Sequence, residues 1–327
     1  MILDQTISET FAAYHGDCVE VVKQLPSNSI DYIIFSPPFA SLYTYSASER
    51  DMGNVKSEAE FAEHYRYLST ELYRVLKPGR LLSFHCMNLP TTKQTNGYIG
   101  ISDFRGDLIR LHQTDGFIYH SEVCIWKDPV TAMQRTKALG LLHKQVKKDK
   151  AMVRQGIPDY LVTMRKPGVN PDPISGPFTY YVGEDPEPER VADDGVPTYP
   201  SIRVSAEDNY SVNVWQRYAS PVWFDINPSR TLQKESAREH PDEKHICPLQ
   251  LDVIDRALHL WTNPGDTVLS PFGGIGSEGY EAVKMGRKAV LAELKGSYYK
   301  QLVKNMQAAE IAAAAPQLFD IAEMVAA

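Results

Sequence analysis

At 327 residues, with 43% hydrophobic and 23% charged residues, the chain has the balance of an ordinary globular protein, long enough for one large domain or a core with an insertion. No apolar run reaches the ~18 residues that span a bilayer. The start MILDQTISET also lacks the basic and apolar regions of a signal peptide, so a cytoplasmic location is expected, with no membrane partner. A net charge of −7 argues against indiscriminate binding to nucleic acid.

From the N-terminus, residues 14–126 predict strands alternating with helices. DCVEVVKQL has helical spacing and stops at Pro26, and DYIIF is a buried strand rich in β-branched and aromatic residues. That strand runs straight into Ser36-Pro37-Pro38-Phe39, where two prolines fix φ and remove two backbone donors. A long helix follows over SEAEFAEHYRYLSTELYRVL, with Ser57 as N-cap and Pro78-Gly79 as the stop. RLLSFHC is a strand, DFRGDLIRLHQTDGF a helix and YHSEVCIW a further strand. This alternation predicts an α/β fold with a mostly parallel sheet and helices on its faces.

Between 130 and 240 the character changes. Twelve of the 22 prolines fall between Pro158 and Pro241, and GEDPEPER and VADDG break any periodicity, so the stretch reads as irregular and loop-rich, either an inserted recognition module or a set of flexible surface loops. It opens with a basic segment: Lys127 to Lys166 holds ten Lys or Arg against three Asp. An acidic protein with such a stripe can bind a polyanion through it, although a charge run is often only a solvated helix face. Order returns with a helix over CPLQLDVIDRALHLW, a strand–turn–helix over TVLSPFGGIGSEGYEAVKMG, a strand over RKAVLAELK and an Ala-rich helical tail broken at Pro316. The four cysteines, Cys18, Cys86, Cys124 and Cys247, are scattered without a CxxC pair. They read as reduced thiols, and no metal site is expected.

The turn holding Gly273, Gly274 and Gly276 sits between a strand and a helix, with Glu293 at the end of the next strand. Glycines allow positive φ and close approach of a ligand to the backbone, and an acid at that place can accept both hydroxyls of a ribose. The spacing is neither a full GxGxxG dinucleotide site nor a phosphate-binding P-loop, which leaves an adenosine-containing cofactor or a purely structural turn.

Together these segments resemble the amino-group DNA methyltransferases that use S-adenosylmethionine. Ser36-Pro37-Pro38-Phe39 resembles that family's catalytic tetrapeptide, and Ser270-Pro271-Phe272-Gly273-Gly274-Ile275-Gly276-Ser277 resembles its cofactor loop. HICPLQL resembles the stretch before that loop, and Gly16-Asp17-Cys18 a short cofactor-side motif near the N-terminus. The catalytic motif precedes the cofactor loop, the order of the permuted β-group. The resemblance implies a Rossmann-like, doubly wound class I fold. It implies a catalytic half over 1–129, a target-recognition insertion over 130–240, a cofactor-binding half over 241–310 and a helical tail over 311–327. Its implied cofactor residues are Asp17, Ser36, Ser270, Phe272, Gly273, Gly274, Gly276, Ser277 and Glu293. Two departures stand out: the family's usual leading Asp is Ser270, and its usual Thr is Ser277.

The tetrapeptide also makes chemical sense. An exocyclic amino nitrogen is a poor nucleophile because its lone pair is delocalised into the ring. Ser36 Oγ and the Pro37 carbonyl, held still by the prolines, are acceptors that free that lone pair. Phe39 offers a face for a base flipped out of duplex DNA. A Ser in the first position leans toward N4 of cytosine without excluding N6 of adenine. Lys144, Lys147, Lys148, Lys150 and Arg154 are suited to phosphate contacts with double-stranded DNA. The source implied is bacterial or phage-encoded and nucleoid-associated, with a homodimer admissible. The alternatives are an S-adenosylmethionine enzyme acting on RNA or another substrate, and an inactive DNA-binding relative.

Overall fold

The computed structural model describes residues 2–39, 51–55, 57–91, 93–129, 143–152, 155–174, 210–233 and 248–314. The first half contains β1 (Ile2–Ile7), β2 (Phe11–Gly16), α1 (Cys18–Lys23), β3 (Ile30–Phe35), α2 (Glu58–Val75) and β4 (Leu76–Met87). It continues with β5 (Leu89–Thr91), α3 (Lys93–Asn96), β6 (Gly100–Ser102), α4 (Phe104–Thr114) and β7 (Ile118–Ile125). Then come α5 (His143–Lys148), β8 (Asp159–Arg165), α6 (Tyr210–Ala219) and β9 (Val222–Trp223). The last part holds α7 (Leu251–Trp261), β10 (Thr267–Ser270), α8 (Ser277–Lys284), β11 (Lys288–Glu293) and α9 (Gly296–Ala314).

Nine strands form one sheet in the order β1-β2-β11-β10-β3-β4-β8-β7-β9. The run β2-β11-β10-β3-β4 is parallel throughout, which makes this the mixed α/β fold expected from the alternation of elements. Both faces are covered. Residues of α1, α2 and α4 pack on one, and residues of α7, α8 and α9 on the other. All six residues of β3 are buried, as a central strand between two helical layers requires. Each large apolar side chain there contributes roughly 1.5–3 kcal/mol. Asp31 is the exception in charge, and it is held at the base of the strand by Lys77, Arg80 and the Thr267 N–H.

Local signals set the ends of the elements. Ser57 caps α2, its side chain accepting from the Glu60 N–H. The helix stops at Val75, and Pro78 falls inside β4 where the register with β3 shifts between Ile30 and Tyr32, so no ladder bond is lost to it.

The stretch read as irregular departs from that reading among its described residues, which include α5, β8, α6 and β9. DYLVTMR is β8, inserted antiparallel between β4 and β7, with Leu161, Val162 and Met164 fully buried. Its apolar alternation is short and stands among prolines, and cross-strand pairing on both sides makes it a strand. Among the described residues Cys18, Cys86 and Cys124 are unpaired, and Cys247 lies outside them. No described helix is long and apolar enough to cross a membrane.

Candidate active site at the ends of β3 and β10

Although far apart in sequence, β3 and β10 are neighbours, with Tyr32 paired to Val268 and Ile33 to Leu269. Both therefore end at the same edge of the sheet. The Ser36–Phe39 segment and the Ser270–Ser277 loop leave side by side, and the rings of Phe35 and Phe272 stand 5.8 Å apart. β11 ends at Glu293, level with His15 of β2, and Asp17 follows two residues on. In open α/β sheets this carboxyl edge is where ligands lie.

The glycine loop is shaped by its backbone. The Gly273 N–H donates to the Ala292 carbonyl at 2.8 Å, and the Gly276 N–H to the Gly273 carbonyl at 2.7 Å. Gly274 (φ +54) and Gly276 (φ +92) occupy the left-handed region, which side chains strain to adopt. The space beside Gly274, where a Cβ would stand, is open. Glu293 sits beneath the loop: one carboxylate oxygen accepts from the Gly274 N–H and the other from the Lys295 N–H, each at 2.8 Å. Burial pushes its pKa up to about 7, against the pull of those two donors. Ser270 Oγ is buried with no hydrogen-bond partner among the described residues. Ser277 is the buried first residue of α8, and Phe272 is half-buried. Asp17 serves α1 as N-cap, accepting from the Glu20 N–H at 3.1 Å.

The Ser-Pro-Pro-Phe segment is held by side chains. Pro37 and Pro38 are buried, while Ser36 and Phe39 are half-buried. The Phe39 ring leans on Phe104, 6.3 Å between centroids, so part of it belongs to the core. Ser36 Oγ lies 3.2 Å from His85 Nδ1 at the end of β4. His85 Nε2 faces Asp159 Oδ2 at 3.2 Å, and the Lys127 ammonium binds the other oxygen of that carboxylate. Burial alone would raise the Asp159 pKa, but His85 and Lys127 outweigh it and hold the carboxyl below its ordinary value. None of these three partners was singled out from the sequence. The available signals were a histidine closing the apolar strand RLLSFHC and an aspartate opening DYLVTMR.

The basic segment connects β7 to β8, so it leaves from and returns to this same edge. Lys147 and Lys148 on α5, and Lys150 just after it, are exposed. Lys144 belongs to the same helix, and Arg154 lies outside the described residues.

A family model described as DNA methylase, for the N6- and N4-specific enzymes, matches residues 30–304. Among curated proteins the chain is similar to the type II methyltransferase M.BamHI of Bacillus amyloliquefaciens, 25% identical over 298 residues. That match takes in 89% of this chain but only 56% of the relative, so the chain spans little more than half of that protein's length. It is also 25% identical over 308 residues to the DNA adenine methyltransferase YhdJ of Escherichia coli, covering 92% of this chain and 84% of the relative. Among solved structures, a Thermus thermophilus protein assigned as a DNA modification methylase and complexed with S-adenosyl-L-methionine superposes with a TM-score of 0.57 at 19% identity, over 90% of this chain and 94% of that one. The cytosine-N4-specific PvuII DNA methyltransferase superposes with a TM-score of 0.59 at 16% identity, over 93% and 90%. These two likenesses speak for the fold. With the family match running from β3 into α9 and both motif loops meeting at one sheet edge, the chain belongs to the N6/N4 DNA methylase family.

Proposed function

We propose that this chain transfers a methyl group from S-adenosylmethionine to the exocyclic amino group of a flipped base in double-stranded DNA, N4 of cytosine or N6 of adenine. The observation that carries this reading is the adjacency of Ser36 and the glycine loop across the β3–β10 pair. The loop residues suit such a cofactor. Open space beside Gly274 admits a ligand against the backbone, and Ser270 Oγ is a buried hydroxyl with its hydrogen-bonding capacity unspent among the described residues. Glu293 has one lone pair on each oxygen engaged by a backbone N–H, which leaves the others for the two hydroxyls of a ribose. In this reading Asp17 helps hold the adenosine side, Phe272, Gly273, Gly276 and Ser277 shape the cradle, and Ser270 faces the methionine end. The bound cofactor supplies a sulfonium methyl already activated for in-line displacement.

The rest is work for the protein's own groups. Ser36 Oγ and the Pro37 carbonyl accept from the target amino group and draw its nitrogen toward tetrahedral geometry. Pro37 and Pro38 remove the freedom that would blur this placement. The exposed part of Phe39 stacks on the extruded base while Phe104 supports its other contacts. Lys147, Lys148 and Lys150 contact phosphates, with Lys144 and Arg154 as further members of that stripe. Residues 130–240, apart from β8 and β9 within the core sheet, serve target recognition between the two halves of the core, and the action is on DNA inside a bacterial cell. Incubation with isotope-labelled S-adenosylmethionine and mixed genomic DNA, followed by nucleoside mass analysis, tests the proposal. A labelled N4-methylcytosine or N6-methyladenine is expected, and label confined to RNA or to no substrate overturns it.

A further inference from the structure

We propose that His85, Asp159 and Lys127 form a proton exit behind Ser36, which turns a neutral serine into an acceptor for the target amino group. The proposal rests on the methyl-transfer reading above and adds positioning residues that lie outside both motif loops.

The groups lie in a row, each within 3.2 Å of the next. Ser36 Oγ is 3.2 Å from His85 Nδ1, His85 Nε2 faces Asp159 Oδ2 at 3.2 Å, and Lys127 holds the remaining carboxylate oxygen. His85 and Asp159 are both buried, so water competes little for these contacts. The carboxylate biases the histidine tautomer: Asp159 Oδ2 lies 3.2 Å from His85 Nε2 without hydrogen-bond alignment, a proximity that favours a proton on Nε2 electrostatically and repels a bare lone pair there. Nδ1 is then left without a proton and can only accept, which directs the Ser36 hydroxyl hydrogen into the protein. The lone pairs of Oγ remain for the substrate. A serine free to rotate offers no such bias.

The arrangement also answers a problem of charge. As the amino nitrogen forms its bond to the methyl carbon, the carbon–sulfur bond breaks and its electron pair leaves on a neutral thioether. The nitrogen is left with one proton too many. That proton passes to Ser36 Oγ as the serine's own hydroxyl proton passes to His85 Nδ1. The net result is a methylated neutral amine and an imidazolium next to Asp159, which later releases its proton to solvent. An aspartate in place of Ser36 would hold that proton directly and need nothing behind it.

The other groups around His85 are compatible with this role. On its sheet face Ser83 and Thr163 are neutral and bonded to each other. In the layer packed on that face, Arg217, Asp225 and Arg256 pair among themselves. Arg105 and Glu122 pair on the opposite face, alongside Tyr160 and Cys86. Asp159 and Lys127 are therefore the charges in direct line. Lys127 shares the carboxylate and so takes part of its charge away from His85.

The test combines kinetics with a spectroscopic readout. In His85→Gln, kcat is expected to fall roughly 100-fold, with cofactor and DNA affinities within about twofold of wild type. In a Ser36→Asp background the His85→Gln change should cost several-fold less than in the wild type. Imidazole nitrogen NMR of the wild-type protein should show His85 as the Nε2–H tautomer, with a resonance that moves in Ser36→Ala. Asp159→Asn repeats the kinetic test should His85→Gln not fold. Wild-type kcat in these variants, or an Nδ1–H tautomer, overturns the proton exit alone. A wild-type protein that methylates no DNA overturns the methyl-transfer reading and the exit with it.

Discussion

The two loops that face each other across the β3–β10 junction are held in opposite ways. The glycine loop after β10 is fixed by its own neighbourhood: left-handed glycines, short-range turns and a carboxylate at the end of the adjacent strand. The Ser-Pro-Pro-Phe segment after β3 is fixed by side chains from elsewhere, with His85 49 residues away in sequence and Asp159 on a different strand again. A loop that must present backbone to a cofactor needs only conformational freedom in the right places. A loop that must present one oxygen to a reacting nitrogen needs that oxygen's hydrogen controlled, and only a distant partner supplies this.

The widest gap between the two loops should open with Ser36→Ala. Turnover should fall roughly 100- to 1,000-fold while cofactor affinity holds, as single-turnover methylation and calorimetry together would read. An unchanged rate would erase the distinction. On the other side, Gly276→Ala forces a side chain into φ +92 with a Cβ only 3.2 Å from Leu302 Cγ. It should lower unfolding free energy by about 1–3 kcal/mol in denaturant titration and weaken cofactor binding. Glu293→Gln should weaken cofactor binding roughly tenfold. Because ribose hydroxyls donate to the ionised carboxylate, wild-type affinity should be full above the folded pKa of about 7 and decline as pH falls through it. Calorimetry over that range should find the dependence absent in Glu293→Gln. Phe39→Ala should cost about 1–3 kcal/mol in binding of a DNA with an unpaired target base. The smallest effect belongs to neither loop: replacing Lys147 and Lys148 together should lower the slope of log affinity against log salt by about 2, and an unaltered slope would leave the pair as solvated surface.

This contrast also explains what could be read from the sequence. Strand, glycine turn, helix and following acid occupy one short stretch, so Gly273 to Glu293 was legible as a unit. The stop at Pro37-Pro38 was equally plain, because two prolines after a buried strand leave few alternatives. β8 was not legible, since seven residues among many prolines carry too little pattern to outweigh their surroundings. With β8 hidden, Asp159 had no assigned place, and neither had its contacts with His85 and Lys127. β1 was missed for a related reason. Its exposed residues, Leu3 and Ile7 as well as Asp4 and Gln5, form an edge strand whose pairing with β2, rather than its own periodicity, makes it extended.

The most direct test of the junction is a structure of the protein with a non-transferring analogue of S-adenosylmethionine. Ribose hydroxyls on Glu293, and the atom replacing the sulfonium methyl directed at Ser36, are expected. An analogue seated away from the β3–β10 edge, or pointing away from Ser36, would contradict the proposal that the two loops act as one site.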